Sequence, residues 1–210
     1  MNPSENFPGL LIAFEGIDGA GKSTHAQLLA ERLERRGEKT LQRSEPTHGP
    51  EGEIIREILT GKRPRPEPAE EAQLFLDDRA RHVREVIAPA LAEGKIVILD
   101  RYIYSTAAYQ GARGLDPQAI LDANRKIAPE PNLTLIFSVP VDEAMRRISS
   151  SRKSLSSFEF APYLTEVAGR FESFSGPALV QINGYTTTED IEKAIQQALA
   201  PVLARWRAAK

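Results

Sequence analysis

The apolar run LLIAF (10–14) passes through one acid, Glu15, into GIDGAGKST (16–24), and nothing else in the chain restricts its fold so tightly. Gly16, Gly21, Lys22 and Ser23 satisfy G-x-x-x-x-G-K-[ST], a pattern that works as a tight loop between a buried strand and the first turn of a helix. Its glycines let backbone N–H groups converge on phosphate oxygens with no Cβ in the way. The helix that follows offers its N-terminal amides and positive dipole end to the same anion. Lys22 suits the β- and γ-phosphates, and the Ser23 hydroxyl suits Mg²⁺. The expectation is a nucleoside triphosphate held by Gly16, Ile17, Asp18, Gly19, Ala20, Gly21, Lys22, Ser23 and Thr24.

The rest of the chain supplies the scaffold such a loop needs. IVIL (96–99) and LTLIFSV (133–139) are continuous apolar runs, as expected of strands buried on both faces, and KTLQRS (39–44) and ALVQI (178–182) are weaker strand candidates. Between them lie helical patterns. One follows Ser23 and stops at Gly37. One spans 69–93, with Pro89 bending or interrupting it. Others lie near 116–127, 141–150, 159–174 and 188–207. This alternation implies an α/β fold, a parallel sheet covered by helices on both faces. GKRPRPEP (61–68) reads as an exposed connection stiffened by prolines, so a single domain over 1–210 is expected.

Bulk properties narrow the setting. The net charge of −2 gives no support to a nucleic-acid or membrane-surface partner. There is no cysteine, which excludes disulfides and cysteine-ligated zinc and fits a reducing cytoplasm. The expectation is a cytoplasmic protein without a signal peptide or a membrane span. His25, His48 and His82 have no metal-ligand spacing and receive no role.

Two acids stand out near the phosphate loop. Asp18 lies inside it, where a carboxylate repels phosphate unless it faces a metal ion or a hydroxyl. Asp100 ends a buried strand and is followed by Arg101. Ligands of open parallel sheets sit beyond the carboxyl ends of the strands, where an acid can hold Mg²⁺ and an arginine can clamp a phosphate. A surface ion pair is the plainer reading of Asp100 and Arg101.

Taken in order, GIDGAGKST, LFLDDRARHV (74–83), DRYIYSTAAYQG (100–111) and PNLTLIFSV (131–139) resemble the thymidylate kinase family over nearly the whole chain. The resemblance implies phosphorylation of dTMP to dTDP by ATP with Mg²⁺. It also implies a three-layer P-loop nucleoside-monophosphate-kinase fold with five parallel strands and a small lid near 146–159, usually as a homodimer. Position by position, Phe75 is similar to the aromatic that stacks on thymine and Arg79 to the arginine reaching the base. Arg101 matches the arginine on the dTMP phosphate, and Thr106 lies near the thymine edge with Gln110 beside it. Tyr109 matches the tyrosine against the sugar. Asp18 corresponds to an acid near the acceptor 3′-hydroxyl and metal, and Asp100, with Ser23, to the metal site. Glu45 and Pro46 match a turn beside the base pocket. Apart from the resemblance, Phe75 also suits helix core, Arg79 a solvated face, Tyr109 a packed loop and Thr106 a helix cap.

The chain departs from the family pattern in places. Ser44 stands where that turn has an arginine, with Arg43 adjacent. In the lid, Ser156 and Ser157 replace an Asp-Arg pair, leaving Arg147, Arg152 and Lys153 to stabilise charge, with Arg152 the chosen catalytic candidate beside Lys22, Asp18 and Arg101. Ser138 and Asn183 replace acids at two strand ends. Two other readings therefore stay open: a kinase acting on another nucleoside monophosphate, and a nucleotide-binding paralogue with weakened catalysis.

Overall fold

The computed structural model describes residues 7–151 and 157–209, with the side chains of residues 151 and 157–160 left aside. The apolar runs become five strands, β1 (Leu10–Gly16), β2 (Thr40–Ser44), β3 (Ile96–Asp100), β4 (Leu133–Ser138) and β5 (Leu179–Asn183). They form one parallel sheet in the order β2-β3-β1-β4-β5, as the alternation implied. β1 is central and buried along its whole length, whereas β2 and β5 lie at the edges and are largely half-exposed or exposed. Edge position explains their weaker apolar pattern, since an edge strand borders solvent.

Nine helices are described: α1 (Lys22–Arg35), α2 (Pro50–Leu59), α3 (Pro68–His82), α4 (Ala88–Ala92), α5 (Ile103–Gly111), α6 (Pro117–Arg125), α7 (Val141–Ser151), α8 (Ser157–Ser173) and α9 (Thr188–Ala208). One apolar cluster joins the sheet to α1, α8 and α9, through residues such as Leu29, Leu33, Val167, Ile195 and Trp206. A second joins the opposite face to α4, α5 and α6, through Ile87, Leu91, Tyr102, Ile103 and Leu121. The result is the three-layer α/β architecture. Among the described residues no helix is long and apolar enough to cross a membrane.

Local signals act where chemistry requires. α1 ends at Gly37, whose φ of 81° lets Glu38 N–H reach back to the Leu33 carbonyl, 3.1 Å away. The 69–93 pattern is interrupted as expected: between α3 and α4 lies a π-helical turn, Val83–Ile87, just ahead of Pro89, which has no N–H to donate. Two helices, α2 and α5, were not foreseen. Thr106 consequently lies inside α5 rather than at a helix start.

Candidate active site

Carboxyl ends of β1 and β3 lie side by side, with Phe14 paired to Asp100, and the glycine-rich loop leaves β1 at that edge. Gly16 turns at φ 132°, and a Cβ there would meet the Phe137 carbonyl oxygen at 2.5 Å. Gly19, at φ 79°, is pressed as closely on the Ala144 carbonyl, 2.6 Å from the same imagined atom. Only glycine fits either place. Gly21 caps α1 with φ 96° and supplies no side-chain acceptor, so the first amides of a long helix face the loop. Lys22 is buried, and its Nζ donates to the Ile17 carbonyl at 2.8 Å. Burial, followed by the Arg101 charge, lowers its pKa to about 8.

Beside the lysine, the exposed Ser23 hydroxyl donates to Asp100 Oδ2 across the step from α1 to β3. The other oxygen, Asp100 Oδ1, is buried and has no hydrogen-bond partner. A buried carboxylate oxygen without a donor needs a counterpart. One carboxylate and one hydroxyl next to a phosphate loop fit Mg²⁺, which takes few protein ligands and completes its shell with phosphate and water. Among the described residues no group of three or more His, Asp or Glu side chains could hold a metal ion.

On the other side of the loop, Arg101 Nη2 lies 2.8 Å from Asp18 Oδ1. The guanidinium also reaches Ser105 Oγ at 3.2 Å and the Gly16 carbonyl at 3.3 Å, and it sits 5.1 Å from the Tyr109 ring centre. Tyr109 donates its hydroxyl to Asp18 Oδ2 at 3.2 Å. The Arg101 charge, helped by Lys22, holds the Asp18 carboxyl well below the usual carboxylate range. Arg101 itself has φ 72°, a left-handed conformation that costs a bulky residue on the order of 1–3 kcal/mol and gathers at functional sites.

The residues that follow Arg101 are held by a β1 acid to which the sequence alone assigned no role. Glu15, fully buried on β1, accepts from the N–H groups of Tyr102 (3.0 Å) and Tyr104 (2.9 Å) and from the Ser105 hydroxyl. It thereby caps α5 from a distant strand. Its signal was an acid in an otherwise apolar run. Burial pushes its carboxyl up, against the pull of Ser105, Arg79 and Arg101.

The face opposite α5 comes from α3, where Glu71, Phe75 and Arg79 recur every fourth residue on one side. Arg79 is buried and donates to Glu45 Oε2 (2.9 and 2.6 Å), to Thr106 Oγ1 (3.1 Å) and to Asn124 Oδ1. It is no solvated surface charge. His82 meets the other Glu45 oxygen at 2.9 Å, giving that histidine a structural partner after all. Burial raises the Glu45 pKa, but Arg79 and His82 outweigh it and hold the carboxyl below its ordinary value. Glu71 and Gln110 form a second contact between the helices, with Gln110 Nε2 2.8 Å from Glu71 Oε1. Phe75 lies on α3 between these two contacts, half-buried and outside both apolar clusters. It is not ordinary core.

The departures from the family pattern sort themselves by geometry. Ser44 is exposed, and Arg43 is exposed too, donating to its own strand at the Gln42 carbonyl, 2.8 Å away. Arg56 instead braces the turn, reaching the carbonyls of Pro46 and Thr47. Ser138 donates weakly to the Ile182 carbonyl at 3.4 Å, and Asn183 caps the Tyr185 N–H at 2.9 Å. Arg147 reaches the glycine-rich loop from α7. It lies 3.3 Å from the carbonyls of Gly19 and Gly184 and is anchored on Glu143 at 2.6 Å. Arg152, Lys153 and Ser156 lie outside the described residues, so the catalytic expectation for Arg152 falls there.

Comparison with known proteins agrees with this geometry. A family model described as Thymidylate kinase matches residues 14–195. The thymidylate kinase of Desulfotalea psychrophila is 45% identical over 191 residues, covering 90% of this chain and 94% of that protein. That of Akkermansia muciniphila is 42% identical over 193 residues, covering 91% and 92%. A probable thymidylate kinase of Thermococcus gammatolerans is 49% identical over 148 residues, covering 67% and 71%.

Proposed function

The chain belongs to the thymidylate kinase family, and on that premise we propose that it transfers the γ-phosphate of ATP to dTMP, giving dTDP and ADP. The observation that supports this best is the division of the site about one loop. Lys22, Ser23 and the α1 amides gather with Asp100, and Asp18 gathers with Arg101 and Tyr109, two groups that suit a donor and an acceptor phosphate respectively. Residues 1–210 act as one kinase domain with a lid near 146–159.

In this reading ATP lies along residues 16–24, with the backbone N–H groups and Lys22 on its phosphates. Ser23 and Asp100 hold Mg²⁺, which when bound offsets negative charge on the phosphate oxygens. Arg101 leaves Asp18 to take the dTMP phosphate, a dianion matched by its planar fork. An oxygen of that phosphate attacks the γ-phosphorus in line, and the bond to the β-bridging oxygen breaks with ADP leaving. Phosphate oxygens at neutral pH are already nucleophilic, so no protein nucleophile takes part.

Phe75 stacks on thymine, Thr106 and Gln110 read its edge, and Arg79 and Glu45 fix that edge from behind. Tyr109 lies against the sugar. The lid supplies a cation late in the reaction, Arg152 being the proposed source. A homodimer is proposed from the family, and Leu59 on α2, 51% exposed and outside the two cores, offers apolar surface to it. The setting proposed is the cytoplasm.

Steady-state ADP release with ATP and Mg²⁺, across dTMP, dUMP, dCMP, dGMP and dAMP, tests the reading. Selective stimulation by dTMP, with turnover on the order of 1 s⁻¹ or faster, is the expected result. Stimulation by a different monophosphate alone would reassign the acceptor. Binding of dTMP without turnover would make the protein a nucleotide sensor.

A further inference from the structure

Gln110 is buried to 1% exposure, and its side-chain oxygen has no partner. An amide can usually be turned end for end, because its oxygen and nitrogen look alike. Here the turn is settled by chemistry. The neighbour 2.8 Å from Gln110 Nε2 is Glu71 Oε1, and an ionised carboxylate only accepts. Turning the amide would set two acceptors against each other in a buried place.

Glu71 is itself held as a carboxylate. Arg65 grips it with Nε at 2.8 Å and Nη2 at 2.9 Å, and Arg113 reaches it with Nη1 at 2.6 Å. Burial raises its pKa, yet Arg65, Gln110 and Arg113 together bring it below the ordinary value. Pro66 fixes the far side, its carbonyl accepting from Arg113 Nη2 at 2.9 Å. The Pro66 carbonyl thus helps to hold Arg113 where it serves Glu71.

One turn earlier on α5, the mirror case occurs. Thr106 Oγ1 accepts from the Arg79 cation at 3.1 Å, so the hydroxyl proton turns away from Arg79. A carboxylate acceptor therefore makes Gln110 present an acceptor, and a guanidinium donor makes Thr106 present a donor, one helical turn apart. Thymine and uracil carry the complementary pair along one edge, an imino N–H beside a carbonyl. Cytosine carries the reverse, a ring lone pair beside an amino group.

We propose that Glu71 is a positioning residue for acceptor specificity: by receiving the Gln110 amide N–H₂ it fixes the Gln110 carbonyl toward the imino N–H of the acceptor base. It touches no substrate and acts only through Gln110. The inference rests on the dTMP reading above.

The test compares wild type, Glu71→Gln, Gln110→Ala and the double variant, reading kcat and KM separately for dTMP and dCMP and following thermal unfolding. Glu71→Gln keeps the shape but can give or take a hydrogen bond, so Gln110 loses its fixed orientation. The expected result is a KM for dTMP raised about tenfold, kcat within about threefold of wild type, and a dTMP-to-dCMP selectivity reduced about tenfold or more. In the Gln110→Ala background the same change should add nothing, since there is no amide left to orient. An equal effect in both backgrounds, or an even loss for both acceptors, overturns the role of Glu71. A Gln110→Ala protein with unchanged KM for dTMP overturns instead the reading that Gln110 meets the base. Should Glu71→Gln not fold, the wild-type protein still answers by side-chain amide NMR. The Gln110 N–H₂ protons, assigned with Gln110→Ala, are expected to keep their NOE contacts to the Glu71 side chain when dTMP saturates the site. Loss of those contacts would mean the donor end had left Glu71 and would overturn the proposal.

Discussion

Arg101 and Asp18 are joined at 2.8 Å across the phosphate loop, so the arginine assigned to the acceptor phosphate starts out paired with the loop's own acid. The guanidinium reaches Asp18, Ser105, Gly16 and Tyr109 together, a spread that a lysine ammonium cannot reproduce. Arg101→Lys should therefore lower kcat/KM for dTMP about 10- to 100-fold while changing the ATP dissociation constant less than about threefold. Steady-state kinetics with each substrate varied, and calorimetric ATP binding, check the two halves. A matched loss on the ATP side would remove Arg101 from the acceptor.

Asp100→Asn keeps the size of the side chain and an acceptor for Ser23, but removes the charge beside the partnerless oxygen. The Mg²⁺ concentration for half-maximal rate should rise about 10- to 100-fold, with the unfolding midpoint little changed. In the wild type, chelation of divalent ions should abolish turnover. A variant with unaltered Mg²⁺ demand would mean that the metal is held elsewhere.

The contrast between these residues and others explains what the sequence made legible. Buried strands and the glycine loop announce themselves locally, by apolar runs and by glycines with no substitute, and they lie where expected. α5 did not, because IYSTAAYQG has no strong helix pattern and its cap, Glu15, comes from residues far away in the chain. Arg79 was foreseen near the base, but its partners Glu45, Thr106 and Asn124 come from three separate segments. His82 seemed idle for the same reason: its partner is Glu45, and only the fold brings them together. Spacing reveals groups that share one element, and long-range ion pairs need the topology.

Lys22 provides a pH signature. In the free protein burial and Arg101 bring its pKa to about 8, and polyphosphate beside it must raise that value. Binding of ATP therefore takes up a proton above pH 8. Affinity should be flat below that pH and fall by up to about tenfold per unit as pH rises beyond it. Calorimetry in buffers of different ionisation enthalpy gives the proton uptake directly. Lys22→Met should bind weakly and without this dependence. The same pH profile in Lys22→Met would assign the titration to another group.

Glu15 sets the last prediction, because it couples stability to the acceptor side. Its carboxylate accepts from two backbone N–H groups and one hydroxyl in a fully buried place. Glu15→Gln keeps one oxygen for the two backbone N–H groups, turns an N–H₂ group toward the Ser105 hydroxyl, and so leaves that hydroxyl proton without its acceptor. Leaving a buried donor unpaired costs about 1–3 kcal/mol, more when a charge-assisted bond is lost. Urea unfolding should thus show a loss of at least about 2 kcal/mol, against about 1 kcal/mol for Ser105→Ala, which removes one of the three donors. Because the same contacts hold the start of α5, where Arg101 stands at φ 72°, kcat/KM for dTMP should fall in the folded fraction about tenfold or more, with ATP binding changed less. A Glu15→Gln protein as stable as the wild type would show that α5 is capped by other means, and that the posture of Arg101 does not depend on this acid.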